Sequence, residues 1–227
     1  SLLATDSIAH IRDIQMDKQG NLWFISAFLL TRYNEATKKL DYYPIDKYFD
    51  ATSICISSDG TLWVSTIGGY LKKYDAASNS FTSYDLFSHS DKSMNTWIEK
   101  LYITDNDKIL IGTSIHGAKL FDIKTSTYED ILTYNPDKTE IFARNFVQTS
   151  EDECWIGTES GIFIYNMKTK ALTNLRKKYN DPYSISDNAV YTFCKDKEGG
   201  IWAGTYFGGI NYYPKQYSAF KKYFPKN

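Results

Sequence analysis

The sequence predicts an all-β chain, a β-propeller made of four-stranded antiparallel blades, and three observations carry that prediction. A large anchor residue recurs at Trp23, Trp63, Leu110, Trp155 and Trp202, spaced 40, 47, 45 and 47 residues apart, a period that fits propeller blades or helical arrays. Four further columns keep step with the anchors. The segments between them are short, aromatic or β-branched, with alternation in places and no helical run. One such unit cannot bury its own apolar face, so it must stack on copies of itself.

The elements follow in order. Nine residues before the anchors stand Ile14, Ile54, Leu101, Phe146 and Phe193, which mark a first strand. Polar runs at 17–20, 58–60, 105–107, 151–153 and 196–199 follow, rich in the Asp and Gly that tight reversals favour. The anchors sit on a second strand, closed three residues later by Ser26, Thr66, Thr113, Thr158 and Thr205. After a loop of small residues, a third strand ends in Tyr33, Tyr74, Phe121, Tyr165 and Tyr213. Hairpin turns at 34–37, 75–78, 122–125 and 166–169 lead to a fourth strand marked by Leu40, Phe81, Tyr128, Leu172 and Phe220. The repeats span residues 8–45, 51–86, 96–132, 142–175 and 189–223 of one propeller segment over 1–227. The first lacks glycine in its 27–30 loop, the third has Leu110 for Trp, and the fifth is the clearest. Five blades could close a ring. An open arc is the preferred expectation, because no spare N-terminal strand stands ready to complete a last blade.

Composition narrows the function classes. A chain of 227 residues can bury a sizeable core, and 19 Tyr in 16% aromatics suit sheets that each bury rings. Mean hydropathy is −0.43 with no long apolar run, so no membrane span is expected. A net charge of −1 gives no footprint for nucleic acid. Cys55 and Cys194 share a column in different units and Cys154 adjoins Trp155, so buried free thiols are expected. No Cys–His cluster has zinc spacing, and neither metal nor other cofactor is expected. The sequence at Ser1 carries no signal peptide and runs almost directly into the first repeat, which reads as a segment of a longer protein.

In a propeller, the long connections at 44–51, 87–95, 133–141 and 176–188 lie on the same face as the loops between second and third strands. Irregular loops on a rigid scaffold are where recognition concentrates. A sugar site needs aromatic faces with amide and guanidinium donors. The candidates on that face are Trp97, His116, Arg144, Asn145, Tyr191, Tyr206 and Phe207. Arg12, Arg144 and Tyr191 share the column eleven residues before the anchor. Interblade packing is the plainer role for Trp97 and Tyr191, and an ordinary turn position for His116. His10 and His89 read as surface residues. The acidic residues gather in the short turns of the opposite face, so no catalytic residues are assigned and no enzyme is expected. The anchors are assigned to the core.

Asp196, Gly199, Ile201, Trp202, Gly204, Thr205, Gly208, Gly209, Ile210 and Tyr212, with the lead-in from Tyr183 to Val190, resemble the two-component regulator propeller repeat. The resemblance covers essentially the whole chain and is strongest in the second, fourth and fifth units. It implies the periplasmic sensor region of Bacteroidetes hybrid two-component histidine kinases. Such regions carry two seven-bladed propellers and a β-sandwich before a membrane helix, and work in pairs. The implied ligand is an oligosaccharide, and the implied output is control of polysaccharide-use genes. Residues 214–223 resemble the link to a second ring, which would make this segment the later blades of a first ring. The rival readings are a protein–protein interaction scaffold without a small ligand, or a purely structural ring.

Overall fold

The computed structural model describes residues 10–43, 49–88 and 95–215. Among these, nineteen strands form five antiparallel sheets, and no helix is present. The first sheet is β1 (Ile11–Met16), β2 (Leu22–Ser26), β3 (Leu29–Asn34) and β4 (Lys39–Tyr43). The second is β5 (Ala51–Ile56), β6 (Leu62–Thr66), β7 (Tyr70–Asp75) and β8 (Ser80–Asp85). The third is β9 (Ile98–Ile103), β10 (Lys108–Thr113), β11 (Ala118–Asp122) and β12 (Thr127–Leu132). The fourth is β13 (Ala143–Ser150), β14 (Glu153–Thr158), β15 (Gly161–Asn166) and β16 (Leu172–Leu175). The fifth shows β17 (Val190–Lys195), β18 (Ile201–Thr205) and β19 (Ile210–Tyr213). Its expected fourth strand, marked by Phe220, lies outside the described residues, as do His89 and most of the 214–223 link.

Strand order within every sheet is sequential, so each sheet is a meander built from one repeat. The chain forms two compact units, residues 1–145 and 146–227. In the first, β1 packs on β5 and β5 on β9, which makes the first strand of each sheet the innermost. In the second, β14 packs on β17.

Two columns build the interblade core. The anchor points toward the following sheet: the Trp23 ring meets Tyr74 at 5.5 Å, Trp63 meets Phe121 at 5.5 Å, and Trp155 meets Tyr213 at 5.2 Å. The column nine residues earlier points toward the preceding sheet, so Ile54 packs with Trp23, Ile25 and Leu30, and Leu101 with Trp63 and Leu71. Trp23, Trp63, Leu110 and Trp155 are buried. Trp202, expected in the core, is not: it is 43% exposed, because no sheet follows the fifth among the described residues. Cys194 corrects the thiol expectation for the same reason. It faces Trp202 across β17 and β18 and is exposed, whereas Cys55 faces Trp63 and is buried together with Cys154.

Loop geometry places the two faces. Ala51 N–H donates to the Phe28 carbonyl, Ser114 N–H to Trp97 and Tyr206 N–H to Ala189, at 2.9, 3.1 and 2.9 Å. These bonds tie each loop between second and third strands to a connection entering a first strand, so both kinds of segment share one face.

Candidate functional site

The first strand of a sheet starts with one residue too many. Ile11 faces Ser26 while Asp13 faces Ile25, which leaves Arg12 as the extra residue of a β-bulge. Thr52, Glu99 and Tyr191 are the extra residues at the same place in β5, β9 and β17. A bulge re-aims the side chain it inserts and is common beside binding sites. The shared column of Arg12, Arg144 and Tyr191 was legible as spacing; the bulge that gives it meaning was not.

Within the first unit these re-aimed residues meet. Arg12, Thr52, Glu99 and Arg144, with Asp13, Lys100 and Asn145 one position further along the inner strands, line a cavity of about 240 Å³ at the strand heads. Arg12 Nη2 lies 3.9 Å from Glu99 Oε2, with side chains 30% and 24% exposed. The Arg12 guanidinium lies 5.1 Å from the Phe28 ring centre and 5.2 Å from that of Trp97. Those rings stand edge-to-face 5.8 Å apart, so the cation rests between two π faces. Arg144 lies over Phe142 at 3.8 Å.

The floor is an ion pair. Asp13 Oδ2 accepts from Ser53 Oγ at 2.5 Å, Ile54 N–H at 3.1 Å and Lys100 Nζ at 2.8 Å. Ser53 Oγ in turn accepts from Leu101 N–H at 3.0 Å. One carboxylate thus joins β1, β5 and β9 beneath the cavity.

Phe28 reaches its place through a costly turn. Ala27 and Phe28 have φ of 48° and 65°, a left-handed pair that side chains with a Cβ disfavour. The absence of glycine in this loop was visible in the sequence, but its consequence was not.

Of the other candidates, Trp97 flanks the cavity through Arg12. His116 stands apart: its ring packs 5.2 Å from Phe87, its backbone N–H donates to Thr113 Oγ1 at 2.9 Å, and its buried Nε2 has no hydrogen-bond partner among the described residues. Tyr191, Tyr206 and Phe207 belong to the second unit and form their own aromatic cluster. Tyr191 and Tyr206 stack at 5.2 Å with planes 21° apart, and Phe207, 86% exposed, abuts Tyr206 at 4.3 Å. The cluster is latched by Phe207 N–H donating to Asp187 Oδ2 at 3.0 Å. That bond leads the effects that hold the Asp187 carboxyl below the usual range.

Two larger hollows have structural explanations. A cavity of about 510 Å³ between the fourth and fifth sheets is lined by Trp155, Ile162, Leu175, Ile201, Ala203 and Tyr213. The matching space between the first two sheets is filled by Tyr43, Phe49 and Phe81, and Phe220, in the column of Phe81, lies outside the described residues. A groove of about 740 Å³ on the turn face holds Asp17, Asp59 and Asp75. Each is satisfied within its own turn, by Asn21, by Ser57 and by Ser78 respectively. Among the described residues no cluster of His, Cys, Asp and Glu could hold a metal ion, and no helix is long and apolar enough to cross a membrane.

Comparison with known proteins gives these shapes a context. The family profile described as "Two component regulator propeller" matches residues 184–207, the lead-in and the first two strands of the fifth repeat. A histidine kinase P4 of Formosa agariphila is 30% identical over 196 residues, which covers 83% of this chain and 14% of that protein. Among solved structures, the extracellular domain of the hybrid two-component system BT4673 of B. thetaiotaomicron superposes with a TM-score of 0.79 at 20% identity, over 92% of this chain and 28% of that one. Virginiamycin B lyase of Staphylococcus aureus superposes with a TM-score of 0.68 at 14% identity, over 92% of this chain and 71% of that one. The same fold therefore occurs in the extracellular domain of a two-component system and in a lyase, and function rests on the site.

Proposed function

We propose that this chain, which carries the two-component regulator propeller repeat, is part of the extracytoplasmic sensory region of a two-component receptor and detects oligosaccharides on its loop-rich face. In that reading the chain converts nothing. Binding reorders the loop face, the change passes through further domains to a kinase, and genes for polysaccharide use respond. A second propeller and a β-sandwich of the same polypeptide, and a second receptor chain, are its partners. The chain spans about a seventh of the kinase it matches, so these partners and the kinase step belong to the proposal.

The observation that carries the reading is the bulge column. Four blades use the same one-residue insertion to turn a side chain away from the sheet, and three of those residues line one cavity with Arg144. Packing alone gives no reason to repeat that device. Exposed rings at Tyr206 and Phe207 add the stacking surface that pyranose faces favour.

Titration with a panel of oligosaccharides, read as melting temperature, tests this. A saturable rise with one sugar, together with weaker induction of the receptor in Arg144→Ala and Tyr206→Ala at unchanged folding, is the expected result. No response to any sugar, with a protein partner co-purifying, would select the scaffold reading.

A further inference from the structure

We infer that Arg12 and Glu99 form a clamp for two neighbouring hydroxyls of an uncharged pyranose ring at the heads of β1 and β9; this rests on the sensory reading above and names the ligand class of the same cavity.

Most polar groups of the cavity are already in use. The floor pair is closed: Asp13, with a side chain 8% exposed, holds Lys100, Ser53 and the Ile54 N–H. The Thr52 hydroxyl lies 2.8 Å from Ser65 Oγ. Arg144 and Asn145 have interactions of their own, and Arg144 lies over the Phe142 ring at 3.8 Å. Arg12 and Glu99 differ. Arg12 Nη2 and Glu99 Oε2 stand 3.9 Å apart, too far for a hydrogen bond. Among the described residues neither side chain makes a hydrogen bond. A pair this long and partly in water adds little to stability, yet two bulges, one on β1 and one on β9, deliver it to one place. Phe28 and Trp97 flank the guanidinium and hold it beside the carboxylate.

The chemistry of that gap selects the ligand. A guanidinium only donates and a carboxylate only accepts, whereas a hydroxyl does both. One ring hydroxyl can donate to Glu99 while its neighbour accepts from Arg12, and both bonds are charge-assisted. The charges of Arg12 and Glu99 cancel, as do those of Asp13 and Lys100, so these four groups favour no ionic ligand. At about 240 Å³ the cavity lies below the usual range for drug-sized ligands, which suits one ring with its neighbours left outside.

The strained turn supports the same site. The other loops between second and third strands place glycine at positive φ, at Gly69, Gly117, Gly161 and Gly209. In the first sheet Ala27 and Phe28 carry the positive φ instead, and the ring so placed is the one beside Arg12. Backbone strain retained where glycine would relieve it clusters at functional positions.

Calorimetric titration of the chain with methyl β-glucoside, methyl β-galactoside, methyl α-mannoside and a methyl glucuronide tests the inference. At least one neutral glycoside should bind, and the glucuronide should bind no more tightly. Removing one ring hydroxyl at a time from the best ligand should reveal two neighbouring positions that each cost about tenfold or more, because a site built for a hydroxyl rejects its absence. Arg12→Gln and Glu99→Gln should each cost a similar factor. The deoxy sugar lacking the Glu99 partner should lose nothing further in Glu99→Gln, and the other deoxy sugar nothing further in Arg12→Gln, a coupling that a merely structural role would not produce. Tighter binding of the glucuronide overturns the uncharged class. Losses at hydroxyls that are not neighbours, or that add fully to those of both variants, overturn the clamp. Sugar binding unchanged in both variants places the ligand elsewhere and leaves the sensory reading standing. Binding of none of these glycosides overturns the clamp, and failure of the whole oligosaccharide panel as well overturns the sensory reading with it. Melting of each variant without sugar checks its fold; should Glu99→Gln not fold, Glu99→Asp and the deoxy series on the parent chain decide.

Discussion

Trp63 and Trp202 occupy one column, and each faces a cysteine across its first two strands, yet Trp63 is 1% exposed and Trp202 is 43% exposed. The difference lies in the neighbouring sheet, not in the residue. Trp63 is enclosed by Tyr84 and Phe121 at 5.9 and 5.5 Å. Among the described residues Trp202 has contacts within its own blade, with Tyr212 at 4.3 Å and with Asp196 Oδ2 at 3.2 Å from its indole N–H. Trp63→Ala should therefore cost about 3–5 kcal/mol, and Trp202→Ala about 1 kcal/mol, in chemical denaturation of the chain. Equal losses would mean that the anchor acts within its sheet and not between sheets. Asp13 gives a second contrast at this scale. Asp13→Ala strips a carboxylate from Ser53, Ile54 and Lys100 together. We expect a loss of about 2–3 kcal/mol, and a double-mutant cycle with Lys100→Met should recover part of it by removing the orphaned ammonium. A cycle showing no coupling would leave the pair without a stabilising role.

Each blade's element ends are fixed by a small set of side chains, which is why the repeat was readable without coordinates. The threonine that closes the second strand donates to the carbonyl across the turn, Thr113 to Gly117 at 2.9 Å, Thr158 to Gly161 at 2.8 Å and Thr205 to Gly209 at 2.9 Å. Asp17 and Asp196, six residues before their anchors, accept the indole N–H and so lock turn to strand. These needs recur in several blades and leave columns. Gly161 is required by φ of 106° and by the Leu175 carbonyl, which would lie 2.3 Å from a Cβ; no such column announces a bulge, because Arg12, Thr52, Glu99 and Tyr191 share no chemistry. The fifth blade's loop has its own latch at Asp187. Its carboxyl is held below the usual range, first by the Phe207 N–H. A depressed carboxylate contributes above its unfolded value of about 4 and stops contributing as pH falls through the lowered one. The protection of the Phe207 amide, taken against its intrinsic exchange rate, should thus be high at neutral pH, fall as pH drops through the lowered Asp187 value, and be low at all pH values in Asp187→Ala. Exchange independent of both changes would show that the loop holds itself.

At the scale of the molecule, architecture was legible because stacking imposes period, whereas the candidate site was half legible because it is assembled from residues some forty positions apart. Arg144 and Asn145 could be named from their loop-face position and donor chemistry. Thr52 and Glu99 could not, since neither resembles a sugar contact alone and only the common bulge brings them to the cavity. Phe28 was hidden by its loop's departure from the glycine pattern. The period also implies a gradient of local stability. Within the first unit the second sheet has a sheet on either side and buries both columns, with Ile54 0% and Trp63 1% exposed, and in the third sheet Leu101 and Leu110 are 2% and 0% exposed. The first sheet exposes its Ile14 by 50%, and the fifth its Trp202 by 43%, each on the side where the described residues supply no sheet. Local opening costs least where apolar contacts are fewest. Hydrogen exchange of the chain should therefore show β5 and β9 protected longest, with β1 and β17 opening well before them. Raising the stability of the middle sheets should not slow β1 or β17, because their opening does not require the rest to unfold. Uniform protection across β1, β5, β9 and β17 would show that the blades unfold as one cooperative body, and the interblade contacts would then hold the sheets more tightly than their own hydrogen bonds do.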